Sequence, residues 1–227
     1  RFPRERPNPV LHPLYRAAFL LTCLVLIGCS TPGDRMAETP TATLQVNQFT
    51  TSKQDNVAVT INDDRVLVTW DSRRQQGGHY GIYGRWLDLA GTPLGSEFAI
   101  NQHTRGHQME PVTTTDALGG TWVAWASNGQ DDGFGGIIAR HLDGTTGQWQ
   151  DEFPVSPEGI GPLGETAIAS NADGETLVAW TCTTLDGAHV MARGIDADNQ
   201  LQGEAFRLGS PDVARASVPV IAALPDG

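Results

Sequence analysis

Cysteine is scarce in this chain: three in 227 residues, at positions 23, 29 and 182. The first two fall in an N-terminal stretch with the look of a leader, so the body keeps Cys182 alone and no internal disulfide can staple it. Cys182 lies just past Trp180 in an apolar run, the setting of a buried, inert thiol. Positive charge is thin as well, with 15 Lys and Arg against 26 Asp and Glu and a formal net charge of −11. A surface of that sign repels phosphate backbones and anionic headgroups. It excludes nucleic acid as a partner and suits solubility or cation binding. No apolar run reaches the roughly 20 residues that a membrane-crossing helix needs, and no helical period stands outside the N-terminal run. Signatures of chemistry are missing too. There is no GxSxG, no phosphate loop, no nucleophile with a base in step and no carboxylate pair at telling spacing, so no motif assigns a reaction.

What the chain does have is a period. Trp70, Trp125 and Trp180 stand 55 residues apart, and Val57, Val112 and Ala167 precede them by 13. After each tryptophan come an arginine (Arg85, Arg140, Arg193), an aspartate three residues on (Asp88, Asp143, Asp196) and a phenylalanine (Phe98, Phe153, Phe206). Each tryptophan closes a short run, VLVTW, TWVAW or TLVAW, that follows Asp/Gly turn material, as a strand after a tight turn does. Both alternating faces of that run are apolar or small, so the strand is covered on both sides. One strand precedes it (NVAVTI, PVTTT, TAIAS), one carries the Arg and Asp, and one carries the Phe. The expectation is all-β, with four antiparallel strands per unit.

Four-stranded units of this length stacked face to face resemble β-propeller blades. The resemblance spans residues 44–227, with repeats over about 55–109, 110–164 and 165–216 and a partial one over 217–227. The pattern is also similar to bacterial secreted repeats that read LVAW, Gly-rich loop, GIxARxxD, turn, EFxVN. The second unit departs from it at Ala117–Gly120, and the third reads HVMARGID. The segment 44–54 matches 98–108, an outer strand without the three that precede it. Three units plus scraps are fewer than the usual minimum of about four blades, so the expectation is a fragment of a longer, six- to eight-bladed protein. A solenoid or a row of separate sandwiches is the competing architecture.

The first 28 residues combine Arg1, Arg4, Arg6 and Arg16 with the apolar run Ala17–Gly28. This is the form of a secretory signal. It ends in Leu26-Ile27-Gly28-Cys29, which resembles the lipobox of bacterial lipoproteins. The resemblance implies lipidation at Cys29, a membrane partner through diacylglycerol and palmitate, and, from Ser30, the outer membrane of the cell envelope. Residues 29–43, rich in Pro, Thr and Ser, read as a flexible tether. Removing residues 1–28 leaves 11 basic and 25 acidic residues, a net charge of about −14.

Candidate chemistry lies in loops. Asn128, Asp131 and Asp132 offer hard oxygen donors to Ca²⁺, although the counterpart loops hold single aspartates and a solvated turn explains them as well. No other cofactor is indicated. His103 and His107 have zinc-like spacing but sit beside Gly106, without a helix. Tyr83, Trp86 and Trp149 are aromatic candidates for a ligand surface, with packing as the plain alternative. The once-per-unit Trp, Arg, Asp and Phe are structural: the aspartates as turn caps, the arginines as partners of carboxylates such as Glu97 or Glu152. The expectation is a lipid-anchored binding or scaffold module for an envelope protein or glycan. The alternative is a glycan hydrolase or lyase working in the central funnel. Fold class alone does not choose.

Overall fold

The computed structural model describes residues 44–129, 135–157, 163–185, 187–210 and 216–223. Residues 1–43, where the lipobox and tether are expected, lie outside the described residues, as do Asp131 and Asp132. Twelve strands follow in order. The first sheet holds β1 (Gln54–Asn62), β2 (Arg65–Arg73), β3 (Tyr80–Asp88) and β4 (Phe98–Ala99). The second holds β5 (His107–Thr115), β6 (Thr121–Asn128), β7 (Gly136–Leu142) and β8 (Phe153–Pro154), and the third β9 (Leu163–Ser170), β10 (Thr176–Thr184), β11 (Gly187–Ile195) and β12 (Leu201–Leu208). Every pairing is antiparallel and sequential, and no helix occurs among the described residues. The inner strands β1, β5 and β9 stand side by side, so the three sheets fan out from a common axis as propeller blades do.

The period-two pattern of the tryptophan strands explains the stacking. From β2, Leu67 points to the second sheet and meets Val123, Trp125 and Ile138, with Ile82 and Ile100 beside it. From β6, the opposite face sends Trp122 and Ala124 against Val178 and Trp180 of the third sheet. Trp122, Trp125 and Trp180 are all essentially solvent-free. Full burial of each large side chain is worth roughly 2–3 kcal/mol. The free face of the first sheet, with Val68, Trp70 and Tyr83, is met by Val46; that of the third, with Ala179 and Ala192, by Ala216 and Ile221.

Polar locks recur at each junction. Arg85 donates from Nε to Gly95 O (2.8 Å) and from Nη1 to Val46 O (2.7 Å). Arg140 does the same to Gln150 O and Ile100 O, and Arg193 to Gly203 O and Val155 O. These arginines bind main-chain carbonyls of their own hairpin and of the preceding outer segment, rather than carboxylates. Glu97 and Glu152, the carboxylates expected to pair with them, are engaged elsewhere. Glu97 accepts the N–H groups of Gln48 (2.5 Å) and Phe49 (3.0 Å), and its own N–H bonds Gln48 Oε1 (2.9 Å). Glu152 repeats this with Gln102 and His103. At the third junction Ala205 replaces the glutamate and Pro157 replaces the glutamine, so both halves of the lock are gone together.

Candidate functional site

The end of the fan at which β1, β5 and β9 begin gathers groups that the tryptophan period did not reveal. Each inner strand carries a bulge near its start, where the register slips between Asp55 and Ala58, between Met109 and Val112, and opposite Ala179–Thr181. The bulge residues are left-handed: Asn56 (φ 51°), Glu110 (φ 57°) and Glu165 (φ 48°), followed by Val218 (φ 59°) in the next segment. Asparagine accepts this region readily, but glutamate and valine do so at a cost of about 1–2 kcal/mol. Non-glycine strain held at one recurring place is a pointer to function or to a strong local tether. Here the tether is visible.

A ladder of carboxylates holds each bulge to its neighbour. Asp71 Oδ2 accepts from Glu110 N (3.1 Å) and from Asn56 Nδ2 (2.7 Å). Glu110 Oε2 accepts from Glu165 N (2.8 Å), and Glu165 Oε2 accepts from Val218 N (2.9 Å) and Thr181 Oγ1 (2.9 Å). In the second and third sheets the acid sits at the bulge itself. In the first, the bulge holds Asn56 and the acid moves to Asp71, next to Trp70. Asp71 is 1% exposed, and its Oδ1 has no partner. Glu110 spends Oε2 on the adjoining sheet and Glu165 spends its own on the segment that follows the third sheet and on Thr181, and each leaves Oε1 unpartnered among the described residues. Both line an open cleft of about 370 Å³, together with Asn56, Pro111, Thr166 and Val218. Among the described residues no three His, Cys, Asp or Glu side chains stand close enough to hold a metal ion.

The other candidates form no single site, although Trp86 and Trp149 pack with Phe98 against the same core between the first and second sheets. Asn128 ends β6. Tyr83 is buried on the first sheet's free face, and burial, with Glu97 nearby, pushes its phenol up. Trp86 lies under Arg65 at 4.4 Å, and Trp149 lies 5.5 Å from Arg140 and 6.2 Å from Phe98. Phe153 meets Trp122 edge-on, while Phe206 is exposed. Asp88, Asp143 and Asp196 each accept N–H groups from the turn that follows. The indoles of Trp70 and Trp125 donate to Gln54 and Gln108, both at 2.9 Å, but Trp180 Nε1 has no partner. A buried His141–Asp116 pair (2.7 Å) rests on Trp122, stacked 4.3 Å from the His141 ring. Burial alone would push the Asp116 carboxyl up; the bonds from His141, Gly120 N and Leu118 N outweigh it and bring it below its ordinary value.

Sequence reasoning missed Asp71, Glu110 and Glu165. The signal was present for two of them: Glu110 and Glu165 each precede the repeated Val112 or Ala167 by two residues, one repeat apart.

The sequence matches no family model and no curated protein. Among solved structures, the chain is similar to an α-L-arabinofuranosidase from Lactobacillus brevis, at 9% identity and a TM-score of 0.49, over 70% of this chain and 54% of that one. It is similar to an endo-arabinase from Bacteroides thetaiotaomicron at 16% identity and a TM-score of 0.49, over 69% and 63%. A family 117 glycoside hydrolase from Zobellia galactanivorans aligns at 8% identity and a TM-score of 0.47, over 71% and 56%. The chain thus spans less than two thirds of the length of each of these structures. At this identity and overlap nothing about activity transfers.

Proposed function

We propose that this protein is an envelope-anchored propeller that acts on a glycan chain in the axial cleft, as a hydrolase or lyase. One observation carries this: Glu110 and Glu165, from adjacent inner strands, flank one cleft, each with one oxygen fixed to the backbone and the other free. Cleavage of a glycosidic bond needs two carboxyl groups on either side of the scissile bond. One protonates the departing oxygen, and the other activates water or attacks the sugar carbon. Lyase chemistry needs a comparable acid and base. Fixing one oxygen of each side chain sets the position of the other, which is how a site is pre-organised. The acidic surroundings would also favour the positive charge that develops at the sugar ring.

The test is release of reducing or unsaturated ends from a panel of neutral and acidic polysaccharides. Glu110→Gln and Glu165→Gln keep a side-chain oxygen for the ladder, so both fold, and each is expected to lower turnover at least about a hundredfold. Activity that survives both substitutions, or absence of activity on every glycan, refutes the proposal. The second reading, a binding or scaffold module, is favoured by the structural duty of both Oε2 atoms. It predicts retention of a glycan without cleavage. Anchoring through Cys29 is part of the proposal and rests on Leu26-Ile27-Gly28-Cys29 alone. Palmitate labelling in a bacterial host should be lost in Cys29→Ser, and labelling that persists would remove the anchor.

A further inference from the structure

What recurs in every sheet serves the fold, so a feature present once deserves a different account. The β2–β3 loop of the first sheet reads RRQQGGHY from Arg73 to Tyr80, whereas the second sheet's loop has NGQDDGFG and the third's TTLDGAH. Only the first carries cations. Lys53 adjoins it, since Arg73 N donates to Lys53 O at 2.9 Å. Across the sheet boundary, Tyr80 N donates to His107 Nδ1 (3.4 Å), and the His107 ring lies 5.0 Å from His79 and 5.7 Å from Tyr80. Arg105 stands two residues before His107. In a chain with a net charge of −11, three cations, Arg73, Arg74 and Arg105, therefore share one end of the fan with the imidazoles of His79 and His107. Burial, with His79 and Arg73 nearby, holds the His107 ring below its ordinary value, toward the neutral form.

The three guanidinium groups are not neutralised. Lys53 has Asp55 at 3.0 Å, but Arg73, Arg74 and Arg105 have no carboxylate within ion-pair distance among the described residues. The recurring arginines Arg85, Arg140 and Arg193, by contrast, are fully engaged in their clamps. The Arg73 guanidinium lies 5.9 Å from the Tyr80 ring centre, and Arg73, Arg74 and Arg105 are all exposed. The loop is also braced. Ser72 Oγ bonds Gln75 Oε1 (2.7 Å), Gln75 Nε2 bonds Glu97 Oε1 (2.5 Å), Gln76 Oε1 accepts from Asn101 (3.0 Å), and Arg74 N bonds His79 O (2.9 Å). Arg74 and Gly77 adopt left-handed backbone (φ 67° and 82°), which closes the turn tightly. Charges on a braced loop bind a ligand with less ordering cost than charges on a free one. The loop leaves β2 two residues after Asp71, which holds the Glu110 bulge, so the cationic patch stands at the same end of the fan as the axial cleft.

The geometry points to a subsite for an anionic polysaccharide: Arg73, Arg74 and Arg105 bind carboxylate or sulfate groups of a chain that continues into the axial cleft, with Tyr80 and His79 against its sugar faces. The subsite rests on the glycan assignment above and narrows it to acidic glycans. Guanidinium matches planar carboxylates and tetrahedral sulfates alike, so the shared chemistry is the anion. A phospholipid surface is the less favoured partner, because the acidic remainder of the chain repels it.

Affinity electrophoresis of the full chain tests this in gels containing polygalacturonate, a sulfated dextran or neutral dextran, with flotation on phosphatidylglycerol vesicles alongside. Retardation is expected in one or both acidic gels, weakening as salt rises, with none in neutral dextran. The uronate and sulfate arms say which anion is preferred. Arg73→Gln with Arg74→Gln should weaken binding about fivefold, the worth of two exposed charge contacts, while Arg207→Gln on β12 leaves it unchanged. A matched melting temperature keeps misfolding out of the comparison. Binding to neutral glycan alone overturns the subsite and spares the axial cleft. Binding to no glycan overturns both. Acidic-glycan binding that ignores the double substitution, or vesicle binding as tight as glycan binding, overturns the subsite.

Discussion

Replacing Gln108 by leucine removes the acceptor of the Trp125 indole while nearly preserving side-chain volume. Both residues are 0% exposed, and the Nε1–Oε1 distance is 2.9 Å, so no water can take over the bond. A buried N–H left unpaired costs about 1–3 kcal/mol. The weaker Gln108 Nε2–Arg105 O bond (3.2 Å) is lost as well, and the added apolar burial of leucine offsets roughly 1 kcal/mol. The net expectation is a loss of about 1–2 kcal/mol. For a folded unit of this size that lowers the melting temperature by about 3–6 °C. The third sheet is the natural precedent. Its register pairs Cys182 with Leu163 where the second pairs Ser127 with Gln108, and Trp180 Nε1 is indeed unpartnered. The substitution therefore weakens the fold without destroying it. Urea unfolding followed by tryptophan fluorescence measures the loss, and a cycle with Trp125→Phe should return a coupling of about 1 kcal/mol. Stability equal to or above wild type, or zero coupling, would refute the claim that the glutamine is there for the indole.

Arg140→Met removes two carbonyl clamps, one of them on buried Ile100, and should cost about 2 kcal/mol; lysine recovers less than half, because one ammonium cannot serve both carbonyls with a fork's geometry. Calorimetry of Arg140→Met and Arg140→Lys checks this, and equal melting points would contradict it. The Asp116 carboxyl is held below its ordinary value, so its stabilising share is fully present above the unfolded value near pH 4 (about 3.9) and lost as pH falls through the folded one. Unfolding midpoints measured from pH 6 to pH 2 should fall more steeply in wild type than in Asp116→Asn. Parallel curves would show that the pair with His141 contributes nothing.

Much of the blade was legible because its causes are local in sequence. The spacing of Trp70, Trp125 and Trp180 gave the unit, and alternation along VLVTW, TWVAW and TLVAW required cover on both faces, which the two inter-sheet cores supply. The partners of the recurring polar residues were less visible. A repeated arginine and a nearby glutamate invite pairing, yet Arg140 reaches 40 residues back to Ile100 O, and Glu152 reaches 49–50 residues back to Gln102 and His103. Those choices depend on how one sheet sits on the next.

From its order of residues alone the chain settles the four-strand unit, its strand order and which faces are apolar, since pleat and turn chemistry act over a few residues. The outer strand expected over 44–54 does not form, because that segment is held to the first sheet by side-chain bonds from Arg85 and Glu97 and not by a strand ladder. Only tertiary structure brought Asp71, Glu110 and Glu165 into a ladder, and only it set Arg73, Arg74 and Arg105 at the same end of the fan. Each of those neighbourhoods joins residues about 30 to 55 positions apart. No periodicity reports such proximity, because it arises when separate sheets converge on one axis.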